Sequence, residues 1–207
     1  MPKKEAPLTY LQQFIPEGAV MLVLDYLHQF KVHLTVTRQR KTVLGDYRHA
    51  IGGKNHRISV NGNLNKFSFL ITLIHELAHL VTFNEYGNRV QSHGKEWKLL
   101  YRKMLEDFLR LHIFPEDILT AIKKSLHDLP ASSCADEGLM RVLRNYDNKT
   151  EDIILVEQIA EGGLFKMDEG TVFRKGKKLR KRFQCTEINT GKVYLFSPIY
   201  EVQPFPG

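Results

Sequence analysis

From Lys66 to about Phe83, the residues Phe67, Leu70, Ile71, Ile74, Leu77, Ala78 and Val81 recur at helical spacing. That period predicts a helix with a broad apolar stripe. Two histidines ride on it, in the string His75-Glu76-Leu77-Ala78-His79. Four residues advance a helix by about 400° and about 6 Å, so both imidazoles leave one face, close enough to share an ion. Glu76 lies about 100° further round. Its carboxylate cannot join the pair as a ligand but can reach a water beside the metal. Imidazoles are also poor neighbours for Ile74, Leu77 and Ala78 unless they are paired or ligated. The spacing therefore predicts one bound Zn2+, held in part by His75 and His79, with Glu76 as a general base.

Two histidines do not complete a catalytic zinc site, which ordinarily has three protein ligands. His93 is the leading candidate for the third, because it stands in QSHGKEW, just before a second helical stretch from about Gly94 to Leu111. A short connection after residue 83 can fold that helix back beside the first. The positive end of its dipole disfavours imidazolium at His93 and keeps the ring's lone pair available. Glu85 and Glu96 remain acidic alternatives on this reading. No histidine follows His79 at the short spacing of the metzincin pattern.

Around this centre the chain reads as mixed. Residues 8–30 are apolar at helical spacing and are divided by Pro16 and Gly18. KVHLTVT (31–37) switches to period two, as in a half-buried strand, and shorter extended pieces follow near 44–50 and 56–60. Pro115 opens a further helix to about His127, DLPASSCADE (128–137) reads as a linker, and a short helical stretch follows near 137–145. Beyond Asp152 the pattern becomes β-like, with Gly162-Gly163 and Asn189-Thr190-Gly191 as turn signals before VYLF (193–196).

The 43% hydrophobic content suits a chain with a packed core. Two cysteines, Cys134 and Cys185, are too few for a disulfide framework or a four-cysteine zinc site. The longest uninterrupted apolar run is Ala19 to Leu24, and the polar N-terminus has no signal-like stretch. The expectation is a cytoplasmic protein with no membrane partner. The net charge of +7 is concentrated: residues 161–192 hold nine Lys/Arg against four Asp/Glu, and residues 38–57 hold six against one. Within the first of these, Arg174, Lys175, Lys177, Lys178, Arg180, Lys181 and Arg182 form an acid-free cluster between Phe173 and Phe183. Such a cluster can neutralise phosphates while aromatics stack on bases, or it can be a solvated hairpin whose phenylalanines are core. Trp97 reads as a packing anchor. Tyr47, Arg48 and His49 are candidates to line a cleft, though strand-surface roles suit them better.

HELAHL, then HGKEWK beginning fourteen residues after His79, with GDYR and RISVN upstream, resembles the SprT-like metallopeptidase family. The resemblance covers roughly residues 10–130. It implies a zincin-like domain in which His75, His79 and His93 hold zinc and Glu76 is the base. It also implies hydrolysis of peptide bonds in protein substrates, with DNA as a candidate partner, since eukaryotic relatives are DNA-dependent proteases. Many members end in a zinc ribbon with two cysteine pairs. The tail here has the length and turns of such a ribbon but only Cys185, so a second structural zinc is not expected. The expected architecture is α+β: a zincin-like helical domain with a small sheet (1–130), a linker with a short helix (131–152) and a basic, β-rich C-terminal domain (153–207). The rival reading is a nucleic-acid-binding or adaptor protein that keeps this fold and turns over little substrate.

Overall fold

A computed structural model describes residues 8–40, 43–126, 136–148 and 152–206. Cys134, His127 and residues 131–135 and 149–151 of the expected linker lie outside the described residues. The chain divides into two compact units, residues 1–147 and 148–207.

The first unit opens with two 3-10 turns, Leu8–Gln13 and Glu17–Ala19, then helix α1 (Val20–Gln29). Strands β1 (His33–Thr37), β2 (Gly45–Arg48) and β3 (Arg57–Asn61) follow, then helices α2 (Lys66–Tyr86), α3 (Lys95–Leu109), α4 (Glu116–Ser125) and α5 (Glu137–Leu143). The sheet order is β1-β3-β2. β1 runs parallel to β3, pairing Leu34 with Ile58 and Val36 with Val60. β2 is an antiparallel edge strand, pairing Gly45 with Val60 and Tyr47 with Ile58.

Helix α2 is the spine of this unit, packed against β2, β3 and α3. The sequence predicts one apolar stripe, yet every residue from Ser68 to Ala78 is buried. A helix covered by a sheet on one side and helices on others has no solvent face to keep polar. By length and composition α2 is apolar enough to cross a membrane, but 72% of its most apolar stretch lies inside the fold. Asn65 caps its start, the side-chain oxygen accepting from the Phe67 and Ser68 amides at 3.0 and 2.9 Å. Gly87, at φ +61°, ends it by donating its amide to the Phe83 carbonyl at 2.7 Å. Helix α5 adds Leu139 and Leu143 to the same core as Phe69, Trp97 and Phe108. Its last carbonyl, on Leu143, accepts a hydrogen bond from the Asn65 side-chain Nδ2 at 3.0 Å.

The second unit is a six-stranded antiparallel sheet in the order β4-β9-β5-β6-β7-β8. Its strands are β4 (Ile154–Leu155), β5 (Leu164–Lys166), β6 (Val172–Leu179), β7 (Arg182–Glu187), β8 (Val193–Phe196) and β9 (Glu201–Phe205). Phe165, Phe173 and Phe196 form its aromatic centre, with ring centroids 5.0–5.6 Å apart. Val156, Cys185 and Val202 complete that core. An α+β fold with a β-rich C-terminal part is what the residue patterns predict and what the chain adopts.

Candidate metal centre

His75 and His79 leave α2 one turn apart, as the spacing requires. His93 comes to them from the start of α3. Gly94, in extended conformation, serves as the N-cap of that helix and bonds its amide to the Gln91 carbonyl at 3.0 Å. The result is that the Nε2 atoms of His79 and His93 stand 3.2 and 3.3 Å from the Nε2 of His75. Each of the three residues offers a nitrogen within 4.8 Å of the others. Among the described residues they form the one cluster with this geometry, and neither Glu85 nor Glu96 belongs to it.

Burial keeps these rings neutral. It lowers the His75 pKa to about 3, with the neighbouring His79 and His93 adding to the effect. Burial first, then His93, lowers His79 to about 4. His93 moves down from the ordinary histidine value for the same first reason, and Lys98 contributes. Three uncharged imidazoles with converging lone pairs are a donor set for a borderline-soft divalent ion. A tetrahedral ion at about 2.0–2.1 Å from each nitrogen would set the donors about 3.3–3.4 Å apart. The observed Nε2 separations fit that requirement.

Trp97 is the floor of this centre. It is fully buried on α3, and its ring centroid lies 4.7, 5.2 and 4.8 Å from those of His75, His79 and His93. The Tyr101 ring stacks on the Trp97 indole, centroids 4.8 Å apart, and lies 5.6 Å from the His75 ring. The packing role expected for Trp97 is therefore tied to the histidines themselves.

Glu76 is 7% exposed. Burial first, then the negative charge of Asp46, raises its pKa to about 8, and Arg40 opposes the rise. The strand β2 backbone presses on this carboxylate at Gly45. That contact joins residues 31 positions apart and leaves no periodic mark in the sequence. The three β2-region candidates have other partners. The Tyr47 hydroxyl pairs with His56 Nδ1 at 2.9 Å, Arg48 pairs with Asp46 at 2.8 Å, and His49 stacks on Phe83 at 4.4 Å.

The basic cluster lies on the β6–β7 hairpin. Arg174, Lys177, Lys178, Arg180, Lys181 and Arg182 are exposed. Lys175 is not with them: it is 5% exposed, and its Nζ donates to the carbonyls of Glu157, at 3.1 Å, and Ile159. That ammonium also sits 4.0 Å above the Phe183 ring. Phe173 is core, and Phe183 is half-buried beneath Lys175 and Lys178. Lys175 follows buried Phe173 at period two onto the inner face, and the bulge beyond it, between Lys175 and Lys178, then ends the alternation, so that Lys177 is exposed.

Fold and site together define a class: an α+β domain with three histidines converging from an H-E-x-x-H helix and the helix after it. The SprT-like family model matches residues 10–115, about half of the chain, and the chain belongs to the SprT-like family. It is similar to the protein SprT of Pseudomonas putida, 49% identical over 35 residues, which is 17% of this chain and 21% of that relative. Protein SprT of Pseudomonas entomophila is 46% identical over the same shares. Protein SprT of Glaesserella parasuis is 34% identical over 80 residues, 37% of this chain and 51% of that relative. The chain thus spans about a fifth to a half of the length of these curated relatives. No solved structure matches it.

Proposed function

We propose that this protein is a zinc-dependent metallopeptidase that hydrolyses peptide bonds in protein substrates. The observation that carries the reading is the convergence of three neutral imidazoles on Nε2 separations of 3.2 and 3.3 Å, one residue along the helix from a buried glutamate. His75, His79 and His93 would hold the ion. Bound zinc would supply a Lewis acid able to lower a water's pKa from about 15.7 towards 7. With a cation on the three histidines favouring its ionised form, Glu76 accepts the proton of the attacking water as its oxygen bonds to the scissile carbonyl carbon. It returns that proton to the amine as the C–N bond breaks. Trp97 and Tyr101 keep the imidazoles in place and shield their inner side from water. The decisive test is proteolysis of labelled casein by the zinc-loaded protein and its Glu76→Gln variant.

DNA is the proposed partner of the β6–β7 hairpin, where six exposed cations lie between Arg174 and Arg182. Cations at this density neutralise phosphates without reading sequence. The alternative, a nucleic-acid-binding protein with little turnover, draws on the same hairpin. Retention on DNA without Glu76-dependent proteolysis would favour it.

A further inference from the structure

We propose that Gly45 is a positioning residue for Glu76: its missing side chain is the notch that seats the carboxylate, and a clamp of Thr37, Arg40 and Asn61 holds that notch against α2. This rests on the reading of Glu76 as the base. A Cβ placed on Gly45 would lie 2.6 Å from Glu76 Oε1 and 2.8 Å from both Glu76 Cγ and Thr72 Cγ2. Real Cβ atoms essentially never approach so closely. Gly45 does not have a positive φ, so glycine is required here for proximity rather than for backbone conformation. The nearest of these atoms is the end of a flexible side chain, whereas the Thr72 methyl sits on a buried, β-branched residue of α2. An alanine would therefore displace the carboxylate and also press on α2 at Thr72.

The strand cannot simply retreat, because its start is tied down. The Asn61 amide donates to the Leu44 carbonyl at 2.9 Å, immediately before Gly45. The Asn61 side chain, 1% exposed, donates to the carbonyls of Val43 and Arg40 at 3.0 and 3.2 Å. Its oxygen accepts from Arg40 Nε at 2.8 Å and from the Thr37 hydroxyl at 3.1 Å. Arg40 further donates to the Ser59 hydroxyl at 3.0 Å and the Leu44 carbonyl at 3.3 Å. A buried polar network with its groups satisfied specifies one backbone path. Here that path carries Gly45 onto the base.

Two double-mutant cycles test the assignment. In the zinc-loaded protein, Gly45→Ala should lower kcat on labelled casein by roughly 10²-fold, as expected for a misplaced group, with KM and zinc content unchanged. In the Glu76→Asp background, whose shorter side chain withdraws the carboxylate oxygen that lies nearest the notch, the same substitution should cost less. The second cycle needs no activity. Gly45→Ala should lower the urea midpoint when Glu76 is present and lower it less when Glu76 is alanine. Parental kcat in Gly45→Ala, or additive effects in both cycles, would overturn the proposal. If the parent does not cleave casein in a Glu76-dependent way, the peptidase reading fails, while the stability cycle still decides whether the notch exists.

Discussion

The Trp97 indole and the His75 imidazole meet edge to face, centroids 4.7 Å apart and planes at 60°. Such offset geometry suits the charge distribution of the two rings. It also means that the most deeply packed side chain of α3 sets where the first histidine of α2 can point. Trp97→Ala should cost about 3–5 kcal/mol of stability and weaken zinc binding as well. Trp97→Phe should recover most of the stability and less of the affinity. Chemical denaturation alongside a competitive chelator titration separates the two effects. Unchanged zinc affinity in Trp97→Ala would show that the histidines hold their places without it.

The buried ionisable groups give the metal-free protein a characteristic pH dependence. His75 and His79, depressed to about 3 and about 4 from 6.5, are neutral in the fold but bind protons when unfolded. Their contribution is present above about 6.5 and is lost as pH falls towards those values. Glu76, raised to about 8 from 4.5, binds its proton more tightly when folded. Its contribution is complete below about 4.5 and is lost as pH rises through about 8. Stability of the metal-free form should therefore peak near pH 6.5. Glu76→Gln should flatten the alkaline limb and steepen the acid one between about 4.5 and 6.5, where Glu76 opposes the histidines. Urea midpoints across pH 4–9 with chelator present provide the measurement.

For the metal, one equivalent of zinc per chain is expected by elemental analysis, because one three-histidine cluster is present among the described residues. His93→Ala should lose much of it, as when one of three protein ligands is removed. Full occupancy in that variant would take His93 out of the site. Two equivalents would point to a second site that Cys185, buried in the β-sheet core, does not suggest.

On the hairpin, DNA affinity should fall by roughly 0.7–0.9 log units per log unit of salt for each phosphate neutralised. Charge reversal at Lys177, Lys178 and Lys181 should flatten that slope. Lys175→Met should leave the slope intact and instead destabilise the second unit by about 1–3 kcal/mol, since two buried carbonyls lose their donor. Equal effects of the Lys175 change and the triple reversal on the slope would count against the assignment.

Much of this was legible in the residues. The H-E-x-x-H string on a helical period located α2 and two imidazoles, because a helix makes neighbours of positions four apart. His93 is placed by its position before α3 and by the family resemblance, and the folded chain adds the distances that bring it to His75 and His79 while Glu85 and Glu96 stay outside the cluster. What stayed hidden depends on contacts between distant segments. No local pattern brings Gly45 to Glu76 or puts the Trp97 ring beneath three histidines. The all-round burial of α2 was hidden too, since periodicity reports one apolar face and not how many layers cover a helix.

The central claim is that Glu76 acts as the base of a zinc peptidase, and one comparison addresses it most directly. Casein cleavage should be measured for the parent and Glu76→Gln, each verified to hold one zinc. The amide keeps the size and the helix but cannot accept the water's proton. Glu76→Gln should keep its full zinc content while its activity falls by about 10²–10⁴-fold. Near-parental cleavage by zinc-loaded Glu76→Gln would contradict it.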